Sequence, residues 1–102
     1  MSLAIVQTTC ANKSEARNIA KILIEEGLAA CVQMSEIESI YKWENEFCND
    51  TEILLSIKTK KENFKKIQSK IKELHSYDVP EIISIDIKNV SKDYKKFIDK
   101  SC

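Results

Sequence analysis

Apolar positions along the chain recur with two periods, about two residues in some stretches and about 3.6 in others, so strands and helices alternate. Leu3 to Thr9 is apolar and partly β-branched, which predicts a strand. Asn12 stands three residues before Glu15, a capping-box spacing. Ala16, Ile19, Ala20 and Leu23 then follow on one helical face, and Gly27, the only glycine, suits a left-handed helix stop. Leu28 to Met34 and Ser35 to Trp43 read as one long strand, bent or bulged near Ser35 to Ile37. The polar run Glu44 to Asp50 predicts a hairpin turn. Glu52 to Lys58 returns as a strand with Ile53, Leu55 and Ile57 on one face. Thr59 and Glu62 have the spacing of a second capping box, before Phe64, Ile67, Ile71 and Leu74 on one helical face. Val79-Pro80 is expected to end that helix, because the residue before proline disfavours helix. Glu81 to Lys88 alternates Ile83, Ile85 and Ile87 against polar residues, a half-buried strand. Ser91 is expected to cap a last helix bearing Tyr94, Phe97 and Ile98 on one face.

The predicted class is α+β: a ferredoxin-like βαββαβ order with a long central hairpin and a C-terminal helix, in one domain over residues 1–102. Two helices would cover one face of a four-stranded antiparallel sheet. The other face needs cover from the last helix, a ligand or another copy of the chain.

Composition narrows the class. With 43% hydrophobic and 31% charged residues, the chain resembles folded soluble proteins rather than disordered ones. The uncharged stretches, such as Met1 to Asn12 and Gly27 to Ser35, are too short to span a membrane, and no secretory leader is visible, so the cytoplasm is the expected compartment. Sixteen basic and sixteen acidic side chains cancel, which argues against nucleic acid or an anionic membrane as main partner. The halves differ, at −4 for residues 1–50 and +4 for residues 51–102. A solvated basic helix accounts for this; the other reading is charge complementarity between copies. Cys10, Cys31, Cys48 and Cys102 form no CxxC pair, so free thiols are expected and a structural zinc site is not.

Three groups could carry chemistry. The segment His75 to Glu81 holds the only His, Tyr77, Asp78, the only Pro and Glu81. Its imidazole is either a helix-end group or a ligand for a divalent transition metal. Cys10 lies between a strand and a helix N-terminus, where helix amides are expected to lower a thiol's pKa; otherwise it is a small loop residue. Tyr41 and Trp43 share one strand face on the hairpin and suit either an interface anchor or packing within the chain. Cys31 reads as a small buried hydrophobe and Cys102 as incidental. Catalytic signatures are missing. There is no glycine-rich phosphate loop, GxSxG or HExxH, and nothing supplies a third member for a Cys10–His75 pair. The only arginine, Arg17, is on the first helix, so no phosphate-holding arginine is expected. The candidate central strand lacks the aromatics of RNA recognition modules.

Five blocks together carry a resemblance: Thr8-Thr-Cys-Ala-Asn-Lys, Leu28-Ala-Ala-Cys-Val-Gln, Ser39-Ile-Tyr-Lys-Trp-Glu, Glu52-Ile-Leu-Leu-Ser-Ile-Lys-Thr, and His75-Ser-Tyr-Asp-Val-Pro-Glu-Ile-Ile. In order and spacing the chain resembles the CutA divalent-ion tolerance family over essentially its whole length. The resemblance implies a ferredoxin-like fold and a tight homotrimer in which hairpins extend the sheets of neighbouring copies and bury Tyr41 and Trp43. It also implies a non-enzymatic protein handling copper(II) or another divalent cation, with no organic cofactor. His75 and Glu81 match family positions near a cleft between subunits, and the implied metal ligands are His75, Cys10 and Glu81. Some bacterial members carry a Cys and two adjacent His where this chain has Thr8 and Leu74-His75. Ser76 replaces a usual Pro, and Asn45 a usual Gly. The alternatives are a PII-type trimeric module holding a small molecule in a cleft with Lys58, Tyr77 and Glu81, or a trimeric scaffold that anchors another protein.

Overall fold

β1 (Leu3–Cys10) is an inner strand, paired antiparallel on one side with β3 (Glu46–Lys60) and on the other with β4 (Ile83–Ile87). β2 (Cys31–Trp43) pairs antiparallel with β3, giving the sheet order β2-β3-β1-β4. Three helices complete this α+β arrangement: α1 (Lys13–Glu25), α2 (Phe64–Leu74) and α3 (Lys92–Ser101). The structure, a computed structural model, describes residues 2–102. Among these no helix is long and apolar enough to cross a membrane.

The periodicities place the core as expected. Val6 and Cys10 of β1 and Ile53, Leu55 and Ile57 of β3 meet Ile19 and Leu23 of α1 and Ile67 and Ile71 of α2, all of them buried. The opposite sheet face is marked by the register Leu3↔Ile87, Ile5↔Ile85 and Gln7↔Ile83. α3 lies against part of it: Ile98 is fully buried, and the Tyr94 ring sits 5.7 Å from the Lys58 ammonium. Ile83 and Ile85 remain nearly half exposed, so α3 alone does not close this face.

Three helix ends follow the sequence reading. Asn12 accepts a hydrogen bond from the Glu15 N–H at 2.8 Å, and Ser91 accepts one from the Tyr94 N–H at 3.3 Å. Gly27 has φ +68°, and the Leu28 N–H reaches back to the Leu23 carbonyl at 2.9 Å, a Schellman closure of α1.

Several expectations are corrected. β2 has no bulge: its register with β3 runs unbroken from Cys31↔Lys58 to Trp43↔Glu46. The hairpin turn is two residues rather than seven. Glu44 and Asn45 both take positive φ, the primed-turn geometry that matches strand twist, so Glu46 to Asp50 stay paired. The second capping box does not form. Thr59 is a buried strand residue whose hydroxyl donates to the Leu28 carbonyl, and a short 3-10 turn, Lys61–Asn63, leads into α2. α2 ends at Leu74, well before Val79-Pro80, because His75 already has extended backbone. β4 is shorter at both ends than Glu81 to Lys88.

Candidate functional site

Cys10 ends β1, Glu15 sits in the first turn of α1, and His75 follows the last residue of α2. The strand-to-helix turn and the helix end meet beside the sheet, so the Cys10 sulfur, a Glu15 carboxylate oxygen and a His75 ring nitrogen lie within 4.8 Å of one another. The His75 side chain is fully buried. Its Nε2 lies 2.7 Å from the Thr9 carbonyl oxygen, which only accepts, so Nε2 carries the proton. Nδ1 then accepts from the Tyr77 N–H at 3.1 Å. The imidazole is thus the neutral Nε2–H tautomer and ties the end of β1 to the segment after α2. Glu15 Oε2 accepts from the Ser76 N–H at 3.1 Å. Glu15 Oε1, buried and 3.8 Å from His75 Nδ1, has no hydrogen-bond partner. The half of a capping box in which Glu15 would turn back to Asn12 is given up for these contacts across the fold.

The expected acidic Cys10 thiol is not found. Cys10 is a strand residue with no exposure, and burial, reinforced by the Glu15 and Glu52 carboxylates, pushes its pKa up to about 12. Cys31 is half-buried rather than buried, and all four cysteines are free thiols.

A cleft of about 630 Å³ lies beyond this cluster, between the hairpin and the segment after α2. Tyr41, Trp43, Glu52, Tyr77, Asp78 and Glu81 are among its lining residues. The Tyr77 hydroxyl donates to Glu52 Oε2 at 2.8 Å; burial, aided by this bond, raises the phenol's pKa. The Tyr41 hydroxyl donates to Asp50, whose carboxylate pushes the Tyr41 pKa up to about 12.

The structure thus brings Cys10 and His75 together, with Glu15 as the neighbouring acid and Glu81 in the cleft instead. Tyr41, Trp43, Tyr77 and Glu81 share the cleft, whereas Lys58 is not among its lining residues: its ammonium donates to Gln33 and faces Tyr94. Glu15 was missed because its capping role accounted for it. Its closeness to Cys10 across one strand-to-helix turn was the available signal.

Comparison with known proteins places this geometry. The family model for the CutA1 divalent ion tolerance protein matches residues 4–101. The divalent-cation tolerance protein CutA of Thermus thermophilus is 42% identical over 91 residues, covering 88% of each chain. That of Pyrococcus horikoshii is 38% identical over 96 residues, covering 94% of each. The solved structure of the periplasmic divalent cation tolerance protein CutA from Archaeoglobus fulgidus superposes with a TM-score of 0.95, at 34% identity and 97% coverage of both chains.

Proposed function

The chain belongs to the CutA1 divalent ion tolerance family, and on that premise we propose that it is a non-enzymatic, ferredoxin-like homotrimer that binds copper(II) or a similar divalent cation. The observation that carries the reading is the convergence of Cys10, Glu15 and His75 within 4.8 Å, with Glu15 Oε1 buried and unpartnered. Sulfur, nitrogen and carboxylate oxygen form a mixed donor set suited to copper or zinc rather than to magnesium or calcium. The residues fit the ion in type. At rest, however, the thiol is protonated and both imidazole nitrogens are engaged, so uptake must release a proton and free one ring nitrogen. Binding is therefore expected to strengthen as pH rises. Glu81, in the cleft, is outside this donor set.

The test is equilibrium dialysis of the reduced protein against copper(II), with zinc(II) in parallel because it has no redox chemistry with thiols. Saturable uptake near one ion per chain, lost in Cys10→Ser and weakened in Glu15→Gln, is the expected result. These variants are better probes than His75→Ala, which also strips partners from a buried carbonyl and a backbone N–H and so loses stability. Uptake indifferent to Cys10 and Glu15 would overturn the reading. The cleft favours a second reading, a small-molecule-sensing module, which predicts thermal stabilisation by a metabolite without metal.

A further inference from the structure

Residues 76–81 join α2 to β4 without belonging to either. Among the described residues, their backbone makes no hydrogen bond to other backbone groups. Three hydrogen bonds hold them, and each ends on a side chain. The Ser76 N–H donates to Glu15 Oε2 at 3.1 Å, the Tyr77 N–H to His75 Nδ1 at 3.1 Å, and the Tyr77 hydroxyl to Glu52 Oε2 at 2.8 Å. Two of these three acceptors are members of the Cys10–Glu15–His75 cluster. The segment is therefore tied down mainly by the groups that would hold a cation.

The two ties respond differently when the cluster is occupied. Glu15 has a spare oxygen: Oε1 is buried and unpartnered, so it can ligate while Oε2 keeps Ser76. His75 has no spare nitrogen. A neutral imidazole has one nitrogen that donates and one that accepts. Here Nε2 donates to the Thr9 carbonyl, and Nδ1 accepts from Tyr77. If Nδ1 ligates, its lone pair is taken and the Tyr77 N–H loses its acceptor. If Nε2 ligates, the ring proton sits on Nδ1, and two donors face each other at the same 3.1 Å contact. The bond to Tyr77 breaks on either route. An N–H left without an acceptor is unfavourable, so the Tyr77 backbone is driven to turn towards water.

We infer that cation uptake through His75 is coupled to release of the Tyr77 backbone, with Ser76 staying fixed as the hinge. The inference rests on the metal reading above and adds the response of the chain to the bound ion. Tyr77 carries that response onward: its ring lies 4.8 Å from the His75 ring, and its hydroxyl is held by Glu52. Asp78, Val79 and Glu81 follow it beside the hairpin, on surface that the proposed trimer buries. Ion occupancy inside one chain would thus be felt where the copies meet.

The test is amide exchange of the full chain, read residue by residue by NMR with and without zinc(II), with zinc uptake measured by dialysis at the same protein concentration. A ligand that merely stabilises the fold slows exchange throughout. The expected result is the opposite at one place: the Tyr77 amide exchanges about fivefold or more faster in the zinc-loaded protein, while amides of β1 and β3 hold or slow. Zinc uptake with the Tyr77 amide as protected as before would overturn the coupling and leave the metal reading standing. No uptake would overturn both. Coupling is reciprocal, so a variant that eases release should bind zinc more tightly. Tyr77→Phe removes the bond to Glu52, and its zinc affinity should rise about fivefold, the effect of one hydrogen bond. An equal or lower affinity in a folded Tyr77→Phe would also overturn the coupling. The exchange measurement needs no variant and decides the question whether or not Tyr77→Phe folds.

Discussion

Cys10 shows how one residue's surroundings reverse the meaning of its position in the chain. Next to a helix start, the sequence favours an acidic thiol; inside the core, the same atom is held neutral at about 12. The linkage has a definite sign. An unfolded cysteine loses its proton near pH 8.5. Between about pH 9 and about pH 12 the folded chain therefore binds more protons than the unfolded one, and stability falls as pH rises. Cys10→Ala removes this contribution. Urea midpoints measured from about pH 8 to about pH 11 should decline less steeply in the variant than in the parent protein. Identical slopes would show that Cys10 does not titrate differently in the two states. In the same protein, Cys10 should alkylate far more slowly than the partly exposed Cys48 at pH 8, read by peptide mass after a timed quench.

At the scale of elements, the hairpin is where local chemistry and observed geometry conflict most. Glu44 and Asn45 hold φ of +49° and +65°. Asparagine tolerates that region, but glutamate gains nothing there, at a cost of about 1–2 kcal/mol. Glu44→Asn with Asn45→Gly, the pair this turn type prefers, should stabilise the protein by about 1 kcal/mol, raising the thermal midpoint by several degrees. An unchanged or lowered midpoint would mean that Glu44 makes a contact worth keeping. The turn also shows what sequence can and cannot disclose. Strands and helices with strong periodicity, such as Ile53-Leu55-Ile57 and Phe64-Ile67-Ile71-Leu74, were legible because one face of each must be buried. Boundaries were less so. A polar run after Trp43 looks like loop, although a projecting hairpin can be polar on both faces and still pair along its length. The spacing of Thr59 and Glu62 resembles a capping box, but Thr59 is committed to a carbonyl thirty-one residues earlier. Likewise, the pairing of Cys10 with His75 was open as a possibility, whereas Glu15 turning to Ser76 across sixty-one residues leaves no local trace.

The whole molecule is elongated, 45 × 25 × 21 Å, with a radius of gyration of 14.1 Å where a compact chain of this length averages about 13 Å. The hairpin accounts for the excess: beyond the paired core it carries Ile40, Tyr41, Trp43 and Phe47 with 42–73% of their surface exposed. With Val79, Ile83 and Ile85 also open, the monomer displays more apolar surface than an isolated chain of this size would be expected to carry. The proposed trimer removes both anomalies, and two forces could hold it: burial of this apolar surface, or attraction between the acidic first half and the basic second half. They differ in salt dependence. Charge pairs at a solvated interface weaken at 1 M salt, where the Debye length is about 3 Å, whereas apolar burial does not. On the hairpin the exposed Ile40, Tyr41, Trp43 and Phe47 alternate with exposed charges such as Lys42, Glu44, Glu46 and Asp50; because solvated charge pairs contribute little and buried aromatics much, the apolar term should dominate. Sedimentation equilibrium should then give three chains per particle at both low and high salt. Trp43→Ala should raise the dissociation constant about thirtyfold or more, the loss expected for a buried aromatic anchor. Dissociation by salt alone would assign assembly to the charge asymmetry, and a mass that stays constant on dilution of Trp43→Ala would remove Trp43 from the interface.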